Sequence, residues 1–71
     1  MPAEVGFGEE DVIRAAFEER VRGLFLVLAD ALATGEPERA SLERFRRALR
    51  SAKKARDLAL QAAAEERGAV A

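Results

Sequence analysis

Cysteine, histidine, tyrosine and tryptophan are all missing from this 71-residue chain. Without cysteine there are no disulfides, zinc-thiolate sites or thiol nucleophiles. Without histidine the commonest general base and the commonest metal ligand are gone. Hydroxyls are scarce: Thr34, Ser41 and Ser51 are the only ones, and none has an imidazole to activate it. The reading is of a chain with no catalytic, cofactor-binding or metal-binding residues of its own. The adjacent acids Glu9/Glu10, Glu18/Glu19 and Glu65/Glu66 do not alter this, because neighbours on a helix diverge and cannot converge on one ion. "GFG" and "TGEPE" lack the spacing and the lysine of a phosphate-binding loop.

Long apolar runs are also lacking. The longest, "LFLVLADALA" at 24–33, is about half the roughly 20 residues that a membrane-spanning helix requires. The opening "MPAEVGFGEED" has no basic segment followed by an apolar core, which reads against a signal peptide. A cytoplasmic protein that does not enter the membrane is the expectation. A chain this short buries only about 60% of the surface its unfolded form exposes. Small scaffolds of this kind draw stability from staples, metals, partners or very regular helix packing, and here only the last two are left.

What is present is helical. Residues 1–8, with Pro2, Gly6 and Gly8, read as a flexible tail. Glu9, Glu10 and Asp11 place negative charge where the dipole of a starting helix favours it. Strong helix formers continue to Thr34, and Gly35 suits the left-handed position just past a helix end. Pro37 cannot extend that helix but can open the next at its first position, with Ser41 as a second candidate cap. Nothing then breaks the pattern until Gly68. The expected organisation is therefore all-α: helix 9–34, turn 35–37, helix 38–67 and a tail at 68–71, forming an antiparallel two-helix hairpin.

The hairpin seam follows from periodicity. Phe17, Val21, Leu24, Leu28 and Ala31 recur in alternating steps of four and three, as do Leu42, Phe45, Leu49, Ala52, Ala59 and Ala63. Arg56 is the one polar residue in a seam slot. Ile13 and Phe17 should lie opposite Ala52, Ala55 and Ala59, where small side chains would let the helices approach. The seam leaves out Phe25, Leu26, Val27 and Leu32. Large apolar residues spread around a helix imply burial all round, and soluble monomers rarely expose such a patch. These four are the candidate oligomer or partner interface. The hairpin is expected to complete a helical bundle by oligomerisation or by docking on a larger protein.

Charge is unevenly shared. Residues 1–36 hold Glu4, Glu9, Glu10, Asp11, Glu18, Glu19, Asp30 and Glu36 against Arg14, Arg20 and Arg22. The remainder is basic, with Arg39, Arg46, Arg47 and Arg50 forming a candidate surface for an acidic partner or for nucleic acid. Lys53 and Lys54 extend this stripe, but folding at Gly35 should bring Asp57 near Arg14 and Lys53 near Glu18, and so shrink it toward Arg39, Arg44, Arg46, Arg47 and Arg50.

Phe17-Glu18-Glu19 followed by Val21, Leu24, Val27, Leu28 and Ala31, a turn at Gly35, and then Ser41, Leu42, Glu43, Phe45, Ala52, Lys53, Lys54 and Leu58 together resemble the small subunit of exonuclease VII over residues 17–63. Phe25 and Leu26 stand where that family interleaves acidic residues. The resemblance implies a non-catalytic helical hairpin that docks on a large nuclease subunit. The alternatives are a self-contained structural homo-oligomer, such as a four-helix bundle of two hairpins, and a small nucleic-acid-binding bundle using Arg39 to Arg50.

Overall fold

The computed structural model describes residues 8–70. It is an antiparallel hairpin of α1 (Glu9–Ala33) and α2 (Glu38–Val70). The expected tail at 1–8, apart from Gly8, lies outside the described residues, as does Ala71.

Local chemistry sets the ends of both helices. Gly8 is extended, and its carbonyl accepts from the N–H groups of Asp11 at 3.0 Å and Val12 at 3.2 Å. The Asp11 carboxylate reaches back to accept the Gly8 N–H at 3.2 Å, the carboxylate half of a capping box. At the other end Gly35 has φ +87°. Its N–H donates to the Leu32 carbonyl at 3.1 Å, while the Glu36 N–H donates to the Ala31 carbonyl at 3.0 Å. That bond pair is a Schellman motif, which satisfies carbonyls a helix end otherwise leaves unpaired.

The two starts considered for α2 resolve differently from the reading of Pro37 as its first helical residue. Pro37 occupies the cap position itself, its carbonyl accepting the Ser41 N–H at 3.0 Å, and Glu38 is the first helical residue. Ser41 lies inside the helix. The expected stop at residue 67 is also superseded, since α2 runs through Gly68 to Val70. One glycine costs a helix only about 1 kcal/mol relative to alanine, and the next residues, Ala69 and Val70, are compatible with a helix.

The seam is narrow. Ala31, Ser41 and Ala63 are the buried residues among those described, and Phe17, Val21, Leu24, Leu28, Phe45, Leu49, Ala52 and Ala59 are half-buried. Leu42 departs from its expected place: it sits at the seam's edge with 36% of its surface open, and Ser41 takes the buried slot beside it. A small residue there lets the helices converge next to the tight turn, at the cost of a buried hydroxyl with no hydrogen-bond partner among protein atoms. Arg56 resolves its polar slot by lying over the Phe17 ring, 4.6 Å from the centroid, while its Nε donates to Asp57 at 2.9 Å.

The molecule measures 53 × 25 × 8 Å across its Cα atoms, so it is one helix thick. Stable domains are built from at least two packed layers around a shared core. Here one layer stands alone, with both broad faces open.

Candidate interaction surfaces

The two faces differ in chemistry. On one, Ile13, Ala16 and Phe17 of α1 and Ala48, Ala52, Ala55 and Ala59 of α2 line an open groove of about 720 Å³. The groove lies at the level where Ile13 and Phe17 are expected opposite Ala52, Ala55 and Ala59, and the short alanine side chains form much of its wall. Arg20, Arg44, Arg47 and Arg56 also line it, and no acid does. A second, shallower depression nearer the turn is lined by Val27, Asp30, Ala31, Thr34, Glu36 and Arg44. Arg44 belongs to both, so both lie on the same face, and its guanidinium donates to Glu36 at 2.8 Å.

Phe25, Leu32 and Leu42 line neither hollow. At 100° per residue, Arg14, Glu18, Val21, Phe25 and Leu32 form one stripe along α1, on the side of the seam away from the groove. Leu42, Arg46, Leu49, Lys53 and Leu60 form the matching stripe on α2. The second broad face therefore carries Phe25, Leu32, Leu42 and Leu49 toward the turn, with Arg46 among them, and Arg14, Glu18 and Lys53 farther toward the open end, with Leu60 beyond. Phe25 is 57% exposed and Leu32 42%.

The four residues expected to need cover are all exposed in the isolated hairpin, but they do not form one patch. Phe25 and Leu32 share the apolar face, Val27 lies on the groove side, and Leu26 points outward along the edge of α1. Val12 and Leu58, which the sequence reading did not single out, are equally exposed. The arginine-lined groove was also missed. Its signal is in the sequence, since Arg20, Arg44 and Arg47 fall on one side of the seam once the hairpin register is known.

The charge pairs differ from those expected. Arg14–Asp57 and Lys53–Glu18 are not among the ion pairs of the described residues. All four side chains are exposed, and by helix period they fall on the same broad face. Asp57 pairs with its neighbour Arg56. The tie between the helices is Arg67 to Glu10 at 2.7 Å, at the open end. That hydrogen bond, and then the guanidinium charge, hold the Glu10 carboxyl below its ordinary range and raise Arg67 in turn. Arg39, Arg46, Arg47 and Arg50 are all exposed and take part in none of these pairs, and neither does Lys53, whereas Arg44 pairs with Glu36, so the basic stripe keeps the lysine it was expected to lose. Among the described residues no group of acidic side chains is placed to hold a metal ion, and no helix is long and apolar enough to cross a membrane.

No family model matches the chain, and neither the curated proteins nor the solved structures provide a match.

Proposed function

We propose that this chain is a non-catalytic assembly subunit: a helical hairpin that completes its core against another polypeptide, either a copy of itself or a larger protein. The observation that carries this is the single layer. Among the described residues three small ones are buried, while Phe25, Leu26, Val27 and Leu32 are open to water. At this chain length a lone core supplies no more than about 3–5 kcal/mol, and this one lacks its second layer. The most concrete form of the reading is an accessory subunit like the small subunit of exonuclease VII, supported by the Phe17-to-Leu58 cadence and by the hairpin form itself.

The test is molar mass by light scattering, with circular dichroism across a concentration series. Helicity that rises together with a discrete mass supports association. A fully helical monomer at high concentration that also fails to co-purify with a co-expressed exonuclease VII large subunit removes the reading.

A second reading rests on one observation: Arg39, Arg46, Arg47, Arg50 and Lys53 are free of ion pairs among the described residues. Such a surface suits nucleic-acid phosphates. Binding that weakens steeply with salt and is lost in Arg46→Glu/Arg50→Glu supports it, and binding that is absent or flat with salt removes it.

A further inference from the structure

We infer that the occupant of the Phe25–Leu32–Leu42 face is a second copy of this chain, docked face to face with both turns at the same end. This rests on the assembly reading above and adds to it a partner and a geometry.

The inference comes from register and charge. The contact of Arg56 with Phe17 fixes which residues of α1 and α2 share a level along the hairpin. A two-fold axis parallel to the helices preserves those levels and lays α1 of one copy over α2 of the other. Leu32 then faces Leu42 of the second copy, and Phe25 faces Leu49. Glu18 meets Lys53, and Arg14 meets Asp57, with offsets of about 3 Å along the axis at 1.5 Å per residue. These are the two charge pairs that the single chain leaves unmade. Apolar meets apolar and opposite charges meet at each of these levels. Every helix also has antiparallel neighbours, as in an up-down-up-down bundle.

The other face-to-face arrangement, with the turns at opposite ends, stacks α2 on α2. That sets the basic stripe of one copy, with Arg46, Arg50 and Lys53, against the same stripe of the other running in the opposite direction. Like charges opposed across an interface disfavour it, and it offers Glu18 no lysine. The uneven charge of the two halves of the chain thus selects between the two dimers.

The test exploits the inter-copy nature of the pairs. Glu18→Lys/Asp57→Lys makes all four interface positions positive, and Arg14→Glu/Lys53→Glu makes all four negative. Each variant alone should lose about tenfold or more in self-affinity. Mixed one to one, they should regain parental mass and helicity as a heterodimer, which also shows that both variants can fold. If the parent dimerises and each variant dimerises equally well, or the mixture gains nothing, this geometry is wrong while the assembly reading stands. If the parent shows no self-association, the second copy is excluded as occupant, and assembly survives only with a different protein.

Discussion

Truncating Phe25 is the sharpest probe of the open face. In the isolated hairpin 57% of this side chain is exposed. A phenylalanine presents roughly 200 Å², so covering the open part removes about 115 Å² from water. At about 25 cal/mol per Å² that contributes about 3 kcal/mol per copy. Phe25→Ala keeps the β-carbon and forfeits about 2 kcal/mol of this, roughly thirtyfold in affinity for each copy and about a thousandfold for a symmetric pair. Alanine is the best helix former, so the change does not act by weakening α1. The matched control is Leu58→Ala. Leu58 is 55% exposed, but it projects outward from α2, away from both the seam and the face. Sedimentation or light scattering across a dilution series measures each association constant, with helicity followed on the same samples. Parental affinity in Phe25→Ala, or an equal loss in Leu58→Ala, would refute the assignment of this face as the one that is covered.

Two further outcomes test the hairpin itself. Gly35→Ala should lower the melting temperature at fixed chain concentration by several degrees. The left-handed φ of +87° is costly for a residue with a β-carbon, about 1–2 kcal/mol, and no atom within 4 Å offers a contact in compensation; an unchanged melt would remove the turn argument. Because Arg67 holds Glu10 below its ordinary range, the Glu10–Arg67 tie is fully present above the unfolded carboxylate pKa and is lost as pH falls through the lower folded value. Protection of the amides around Arg67, taken relative to the intrinsic exchange rate at each pH, should therefore fall on acidification in the parent. In Glu10→Gln the neutral side chain should abolish that pH step, and matching acid profiles for the two proteins would show that the tie carries nothing.

Much of this hairpin was legible in the sequence because helix ends are local. Gly35, Pro37 and the acids after Gly8 act on backbone groups within a turn of themselves, and α1 and its Schellman end follow from them. The seam was legible to the extent that apolar spacing is. Leu42 and Ser41 show its limit: pattern favours the larger apolar residue, but convergence at a tight turn admits only the smaller one. The charge pairs were not legible. Arg14 and Asp57 fall near one level on the same face without pairing, and sequence spacing gives level more readily than contact. The groove was missed for a related reason, since facing an isoleucine and a phenylalanine with four alanines fixes side-chain volume but not how far the backbones close the gap. Gly68 shows a different failure, a weak stop overridden because its neighbours Ala69 and Val70 do not oppose the helix.

The unlike faces also bear on whether assembly closes. A hairpin whose large residues entered the alanine-floored groove of the next copy would make a head-to-tail contact, and contacts of that kind propagate unless the rotation closes. Shape alone favours it, because Phe25 and Leu32 are the protrusions and the groove is the hollow. Charge opposes it. The groove is lined by Arg20, Arg44, Arg47 and Arg56, and the arriving face brings Arg46, Arg50 and Lys53 beside its apolar residues. Face-to-face pairing avoids that encounter and leaves the arginines in water. At about 0.1 M salt, with a screening length near 10 Å, the chain should form discrete particles, whereas near 1 M, where the length falls to about 3 Å, larger ones should appear. Arg20→Glu/Arg47→Glu should bring on the same growth at low salt, since the incoming cations would then be attracted into the groove. Particle size measured by light scattering over a salt series decides the matter, and sizes indifferent both to salt and to the charge of the groove would show that electrostatics do not limit the assembly.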